Sequence, residues 1–208
     1  MNSNDLPNKF PEYLPIPEES KNQLVGKGYG LPKFEDQGSE YLKGFRVALI
    51  TTHGPELPEF HVPVNYLRDR GASVEVVTPD WLFDPEEWEA VGMVVLAQWL
   101  AVNVCVRADK KISDAKIADY DAIIIIGGAW NPIMLRADEA ILRFISSAYR
   151  HRLLIAAICH GPQVLISTNI FPDRTRITGV DDIRDDLRNA GFTVVDHEPV
   201  VYDKDQRL

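Results

Sequence analysis

The chain has 208 residues, of which 45% are hydrophobic and 25% are charged, and its net charge is −9 at pH 7. This length and apolar content predict one sizeable hydrophobic core and favour a single domain. The negative charge argues against nucleic acid or an anionic membrane surface as a partner, because both would repel the protein.

The N-terminal region differs in composition from the rest of the chain. Its first ten residues, MNSNDLPNKF, contain no apolar segment of the signal-peptide type. Prolines recur among polar residues and glycines at positions 7, 11, 15, 17 and 32. We expect residues 1–44 to form an extended arm that wraps the domain or contacts another subunit, and a disordered tail is the alternative.

Cysteine content and apolar patterning favour a cytoplasmic location, where thiols stay reduced. Two cysteines, Cys105 and Cys159, are too few for a disulfide framework. The longest apolar run, residues 91–106, is interrupted by Gln98 and Asn103. This run therefore predicts a buried core element containing a strand rather than a membrane span.

From residue 45 onwards, short apolar strands alternate with helices. Strands are predicted at FRVALITT (45–52), SVEVVTP (73–79), DAIIIIGG (121–128), LLIAAI (153–158), FTVVD (192–196) and VVYD (200–203). Helices are predicted at 62–71, 84–90, 138–152 and 180–191, and a further helix is expected to begin near Gly161. In the third of these helices, one face is formed by Ile141, Phe144, Ile145 and Ala148.

This alternation predicts an α/β fold, a three-layer sandwich with a mostly parallel central sheet and helices on both faces. Ligands of such sheets bind at the carboxyl ends of the strands. Three segments lie at predicted strand ends: the loop after Thr52, the Gly127–Gly128 turn and Cys159. We therefore expect the functional site to be built from these three segments.

The stretch AAICHGPQVL, residues 156–165, has the pattern of a nucleophile elbow. A strand that turns sharply into a helix exposes the residue at the turn and requires small neighbours, here Ala157 and Gly161. The N–H groups and dipole of the following helix would favour the thiolate form of Cys159, which is the nucleophilic form. The alternative is a buried structural cysteine, and we assign that role to Cys105 because it lies inside an apolar run.

Several segments in order resemble the ThiJ/PfpI superfamily of the class I glutamine-amidotransferase-like, flavodoxin-like fold. They are AAICHGPQVL, VALITTHGPELPEFHVPVNYLRDRGASVEVVTP, DYDAIIIIGGAWNP and TGVDDIRDDLRNAGFTVVDHEPVVYD. The resemblance covers residues 45–208 and implies one ThiJ/PfpI-like α/β domain. Because the family continues through a return strand into a final helix, it also implies that residues 45–208 lack these two elements.

The resemblance implies catalytic roles at three positions. The family places a glutamate from the first loop against the cysteine sulfur, and counting back from Pro63 that residue is Glu59. A carboxylic acid there can donate a hydrogen bond to the thiolate or transfer a proton. His160 is implied as the general base, or as an imidazolium that holds the thiolate. In the family an acid from a neighbouring subunit orients this histidine, so a homo-oligomer is expected.

The resemblance also implies the groups around the reacting carbon. The backbone N–H groups of Gly128 and His160 would form the oxyanion hole. The substrate pocket is expected to include Gly127, Trp130, Asn131 and Glu56, and Glu56 is also the alternative to Glu59 within the same loop. No His or Cys spacing suggests a metal site, and neither a metal nor a cofactor is expected.

Three functions follow as hypotheses. The first is a cysteine-dependent enzyme in which Cys159 attacks a small carbonyl or acyl carbon, with glyoxalase-like, deglycase-like or peptidase-like activity on a small carbonyl compound or a peptide. The second is a non-enzymatic redox-sensing or chaperone-like stress protein that uses oxidation of Cys159. The third is a glutaminase, which is disfavoured because His197 and Glu198 lack the one-residue gap expected between its catalytic pair.

Overall fold

The computed structural model describes residues 40–84, 92–98 and 101–208, with only the backbone given for residues 93, 95, 98 and 101–105. The helix predicted at 84–90 and residues 1–39 of the expected arm lie outside the described residues, as does the side chain of Cys105. Residues 40–44 form a turn that leads into the first strand.

Nine strands and five α-helices make up the described part of the chain. The strands are β1 (Arg46–Ile50), β2 (Ser73–Thr78), β3 (Met93–Gln98), β4 (Ala101–Arg107), β5 (Lys110–Lys111), β6 (Ala122–Ile125), β7 (Leu154–Ala157), β8 (Arg176–Ile177) and β9 (Thr193–Val194). The helices are α1 (Leu57–Asp69), α2 (Asn131–Ala137), α3 (Glu139–Arg150), α4 (Pro162–Thr168) and α5 (Arg184–Asn189). Short 3-10 helices occur at Asp80–Phe83, Ile112–Asp114, Ile117–Asp119 and Asp181–Ile183.

The central sheet has the strand order β5-β2-β1-β6-β7, and all four neighbouring pairs are parallel. Strands β3 and β4 form a separate antiparallel pair, and β8 and β9 a separate parallel pair. The strongly apolar strands of the central sheet are those that a sheet covered on both faces requires. The predicted α/β class with a mostly parallel sheet is confirmed.

Two hydrophobic clusters lie on the two faces of the central sheet. Along β1, Val47 and Leu49 belong to one cluster and Ala48 and Ile50 to the other, because successive strand residues point to opposite faces. The first cluster contains buried residues of α1 and of the β3–β4 pair. The second contains buried residues of α2, α3, α4 and α5.

Helix α3 follows the predicted pattern closely. Asp138 is its N-cap, and the Asp138 carboxylate accepts hydrogen bonds from the backbone N–H groups of Ala140 and Ile141. The four residues predicted to share one face are all buried: Ile141, Phe144, Ile145 and Ala148. The amphipathic period therefore identified both the helix and its buried face.

The start of α1 differs from the prediction. The helix begins at Leu57 rather than at Val62, and Pro63 lies inside it. Pro58 occupies the first turn, where proline fits because the N–H groups there have no partner within the helix. Pro63 cannot donate to the carbonyl of Glu59, and the helix continues despite this lost hydrogen bond. Glu59 consequently lies in the first turn of a helix, and the prediction that it lies in a loop was wrong.

The strand predicted at 200–203 is also absent from the structure. The segment instead closes a turn in which the Asp203 carboxylate accepts hydrogen bonds from the backbone N–H groups of Asp205 and Gln206. The backbone N–H of Asp203 donates to the carbonyl of Leu208, and the backbone N–H of Leu208 donates to the carbonyl of Asp203. Local side-chain hydrogen bonding by an aspartate thus replaces strand pairing here.

The buried amide of Asn131 joins the carboxyl ends of β1 and β6. Its Oδ1 accepts from the backbone N–H of Thr52 at 2.6 Å, and its Nδ2 donates to the carbonyl of Ile126 at 2.7 Å. All three residues are completely buried. Because water cannot reach these two backbone groups, the Asn131 side chain is the partner that satisfies them.

We predict that Asn131→Ala lowers the free energy of unfolding by about 2–4 kcal/mol, since it leaves two buried backbone groups unsatisfied. Urea denaturation measures the change. Ile133→Ala, at a position that is 65% exposed on the same helix, is the control and should change stability by less than about 0.5 kcal/mol. A loss no larger than that of the control would contradict the bridging role of Asn131.

Candidate active site

The three segments expected to form the site do lie together. Strands β1, β6 and β7 are neighbours in the central sheet, and their carboxyl ends lead to the loop 51–56, to Gly127–Gly128 and to Cys159 respectively. In parallel strands these ends meet at one edge of the sheet. Strand order, which the sequence does not state, is therefore what assembles the site.

Cys159 occupies a strained turn between β7 and α4. Its φ angle of 58° lies in the left-handed region, which is uncommon for a residue with a side chain. Two residues later, a Cβ atom at Gly161 would come within 2.5 Å of the carbonyl oxygen of Ile125 and 2.8 Å of that of Ile158. Only glycine fits there, so the turn depends on the small residue that the sequence placed after the cysteine.

The side chain of His160 points back to the cysteine. Its Nδ1 lies 3.2 Å from Cys159 Sγ. Its Nε2 lies 3.0 Å from Oδ2 of Asp182, a residue of the 3-10 helix after β8. Sulfur, imidazole and carboxylate thus form a continuous array within one chain.

Glu59 reaches the same sulfur from α1. Its side chain hydrogen-bonds to Cys159, and its Oε2 accepts from the backbone N–H of Gly127 at 3.1 Å. A Cβ atom at Gly127 would come within 2.7 Å of Cys159 Cβ. The glycine therefore allows the glutamate, the sheet end and the cysteine to approach one another.

Burial and mutual repulsion control the protonation of this pair. Burial raises the pKa of Glu59, against hydrogen bonds from Cys159 and the Gly127 N–H that lower it. Burial and the Glu59 carboxylate raise the pKa of Cys159 to about 12, against the backbone N–H groups of Gly128 and His160, which hydrogen-bond the sulfur and lower it. Since the two acids contact each other, ionisation of one raises the pKa of the other, and they titrate as a unit. A simple lowering of the Cys159 pKa by the helix N-terminus was therefore the wrong expectation.

The predicted donors of the oxyanion hole converge on the sulfur. The backbone N–H groups of Gly128 and His160 both hydrogen-bond to Cys159. Gly128 has a φ of 87°, and a Cβ atom there would collide with the carbonyl oxygen of Gly54. The backbone can present its N–H group at this point because the residue is glycine.

The predicted pocket residues have different surroundings. Trp130 is 41% exposed and lies against Gly54, so it forms part of the surface beside the loop after β1. Asn131 is fully buried and holds two strand ends together, which differs from the expected position lining the pocket. Glu56 is the N-cap of α1, and it is close enough for its charge to raise the pKa of Glu59. Of the two loop glutamates considered, Glu59 is the one that contacts the sulfur.

Asp182 was missed by the sequence analysis. The only signal in the sequence was an acidic pair, Asp181 and Asp182, directly after Val180. Nothing local distinguishes the two carboxylates. In the fold, Asp181 pairs with Arg184 at 2.6 Å while Asp182 contacts His160.

Neither a metal-binding cluster nor a membrane-spanning helix occurs among the described residues. No group of three or more His, Cys, Asp or Glu side chains in this part of the chain could hold a metal ion. In the same part of the chain, every helix is too short or too polar to span a bilayer.

The sequence model of the DJ-1/PfpI family matches residues 45–207. The chain belongs to the DJ-1/PfpI family. General stress protein 18 of Bacillus subtilis is 32% identical over 158 residues, which cover 76% of this chain and 84% of the relative. The Escherichia coli protein named protein/nucleic acid deglycase 2 is 33% identical over 161 residues, which cover 77% of this chain and 85% of the relative. The structure of Schizosaccharomyces pombe DJ-1 superposes with a TM-score of 0.64 at 20% identity, covering 76% of this chain and 80% of that protein, and shows the same fold.

The half-buried carboxyl of Glu59 predicts a pH-dependent stability difference. Because the pKa of Glu59 is raised in the folded state, folding holds its proton more tightly. The protonated carboxyl therefore adds to the stability of the folded state at low pH. This added stability is lost as the pH rises above the unfolded-state pKa of about 4.5. Glu59→Gln stays neutral and keeps an oxygen for the Gly127 N–H. We therefore expect its melting temperature to exceed that of the wild type at pH 7 to 8.

Thermal melts between pH 4 and 8 measure this difference, which should shrink as the pH falls. Glu139→Gln, which removes an exposed carboxylate from α3, is the matched control and should show little effect throughout. An equal or lower melting temperature for Glu59→Gln at pH 8 would contradict the energetic cost assigned to the half-buried carboxyl.

Proposed function

We propose that this protein is a cysteine-dependent enzyme in which Cys159 adds to the carbonyl carbon of a small carbonyl compound, such as a 2-oxoaldehyde or an early glycation adduct. The single observation that carries the proposal is the set of groups around Cys159 Sγ. Two backbone N–H groups hydrogen-bond the sulfur, a histidine nitrogen lies 3.2 Å away, and the half-buried carboxyl of Glu59 completes the set. A buried structural cysteine does not require four polar partners.

The addition step balances with the groups present. The sulfur electron pair forms a bond to the carbonyl carbon, and the electron pair of the C=O bond moves to oxygen. The thiol proton passes to His160 Nδ1 or to the Glu59 carboxylate. The new oxyanion lies next to the attacked carbon, within reach of the N–H groups of Gly128 and His160, which act as fixed donors for the developing charge. Proton return to that oxygen gives a neutral thiohemiacetal.

Glu59 is proposed to act as the general acid and base. The sulfur accepts hydrogen bonds from two backbone N–H groups, whereas Glu59 accepts one, from Gly127. Because the pKa of Cys159 is raised by burial and by Glu59, the thiol loses its proton only when a neighbouring group takes it, and Glu59 is one such group. A protonated Glu59 can then deliver its proton to the substrate, and the resulting carboxylate can remove one from an adjacent carbon. The same raised pKa that destabilises the folded protein at high pH thus keeps the proton available.

Relatedness supports a carbonyl substrate. A relative that is 33% identical over most of both chains is named a protein/nucleic acid deglycase. We extend that name to this chain only as a proposal for the class of substrate.

A second function is favoured by a different observation. The relative named general stress protein 18 is 32% identical, and the two N–H groups that face the sulfur would equally stabilise a sulfinate. In this alternative, hydrogen peroxide transfers one oxygen atom to the Cys159 thiolate in each of two steps and releases water each time. The protein would then sense oxidation, or act as a chaperone-like stress protein, without turnover.

The discriminating experiment uses methylglyoxal as the probe. We predict that the wild type converts it, that Cys159→Ala abolishes turnover, and that Glu59→Gln lowers turnover by about 100-fold or more because proton transfer is lost. Cys105→Ala is the matched control and should retain activity. Loss of methylglyoxal and formation of the hydroxy acid are followed together by NMR.

Alkylation and oxidation at each cysteine separate the two functions. Iodoacetamide labelling read by peptide mass spectrometry should give a faster reaction at Cys159 than at Cys105, because His160 Nδ1 and Glu59 lie against the sulfur and can take the thiol proton. The stress-protein alternative would be favoured if no carbonyl compound were converted and peroxide added two oxygen atoms to Cys159. Equal, slow labelling of both cysteines would reject both functions.

A further inference from the structure

We propose that Asp182 is the positioning residue of His160, so that one chain supplies a complete Cys159–His160–Asp182 array without an acid from a neighbouring subunit. This inference rests on the proposed function of Cys159. It departs from the expectation that the family resemblance raised, in which a second subunit orients the histidine. The observation that carries it is the 3.0 Å contact between His160 Nε2 and Asp182 Oδ2.

The two contacts of His160 define which tautomer the ring adopts. A carboxylate has no hydrogen to donate, so the contact with Asp182 requires a proton on Nε2. In a neutral imidazole the other nitrogen, Nδ1, is then unprotonated, and this nitrogen faces Cys159 Sγ at 3.2 Å. Asp182 therefore presents to the sulfur the nitrogen that can take its proton. After proton transfer, the imidazolium lies between the thiolate and the carboxylate, and it donates to both.

The backbone around Asp182 is held in place by contacts that do not involve its own side chain. Val180, the residue directly before the 3-10 helix, donates its backbone N–H to the carbonyl of Cys159 at 3.4 Å. Ile183 is 2% exposed and packs into the core. Arg184 donates from Nε to the carbonyl of Gly179 at 3.0 Å and pairs with Asp181. The Val180 hydrogen bond joins the 3-10 helix to the elbow, and the other contacts hold the helix against the core.

Exposure limits the size of the expected effect. The Asp182 side chain is 69% exposed, whereas that of His160 is 28% exposed. Water can partly replace an exposed carboxylate, and salt screens its charge. Asp182 therefore acts mainly by fixing the ring orientation and tautomer. We expect its removal to lower reactivity by about 10-fold, below the range of about 100- to 10,000-fold that a lost general base itself would give.

The test compares Asp182→Asn, Asp182→Glu and a matched control, Asp185→Asn. Asp185 lies in α5, two residues after the 3-10 helix, and pairs with Arg188, so its substitution removes one negative charge nearby without contact to His160. Nitrogen-15 NMR of the imidazole rings, with His160 assigned by loss of its signals in His160→Gln, reports the tautomer. Iodoacetamide labelling at Cys159 reports the reactivity of the sulfur. Neither measurement requires that a substrate be known.

We expect the wild type and Asp185→Asn to show His160 protonated on Nε2. Asp182→Asn should give a mixed or reversed tautomer and about 10-fold slower labelling, and Asp182→Glu should restore both at least in part. An unchanged tautomer and labelling rate in Asp182→Asn would overturn the assignment. If Asp182→Asn loses its folded structure, its NMR spectrum will show this, and Asp182→Glu then becomes the test. A wild-type tautomer of His160 in Asp182→Glu supports the assignment, and a reversed tautomer overturns it.

Dilution tests whether the array is complete in one chain. The labelling rate constant at Cys159 is measured over a concentration range in which the oligomeric state is determined by sedimentation. A constant rate in the monomeric state supports the proposal, and a fall in rate as subunits separate overturns it. If the tautomer responds to Asp182 but no carbonyl compound is converted, the proposed enzyme function fails while the assignment of Asp182 stands.

Discussion

The site depends on the sharp turn at Cys159. A residue with a side chain adopts the left-handed conformation at a cost of about 1–3 kcal/mol, which the surrounding structure must offset. Here the offset comes from β7, which pairs with β6 and buries Ile155, and from α4, whose Val164 and Leu165 are buried in the core. Because both flanking elements are fixed, the turn places the sulfur at the edge of the sheet and directs the N–H groups of Gly128 and His160 at it.

The second constraint is electrostatic, and it links stability to chemistry. A carboxyl and a thiol that are both half-buried and in contact resist losing both protons near neutral pH. The pair Glu59 and Cys159 therefore keeps a proton that either atom can hold. Burial of Glu59 is unfavourable for folding once the group ionises, yet this burial is what keeps a transferable proton next to the nucleophile. Functional sites commonly carry such locally unfavourable groups within an otherwise consistent fold.

The periodic apolar patterns predicted most of the helices and strands correctly, whereas the exact residues at which single elements begin and end were predicted less well. Helix α3 followed from its apolar spacing and from the Asp138 cap, because both signals act within a few residues. The start of α1 was misplaced because Pro63 was read as a helix start, although Pro58 provides the same signal five residues earlier. The segment 200–203 was read as a strand from its apolar residues, but the Asp203 side chain and the buried Leu208 formed a turn instead.

The sequence by itself determined the alternation of strands and helices, the α/β class and the elbow at Cys159. Each of these depends on residues close together along the chain, whose periodicity, size and turn preferences are local properties. The tertiary structure decided which of two glutamates contacts the sulfur, which of two adjacent aspartates contacts His160, and that Asn131 joins two strand ends. These contacts join residues far apart in sequence, and hydrogen bonding and proton sharing depend on distances of about 3 Å that only the packing of the sheet and helices fixes.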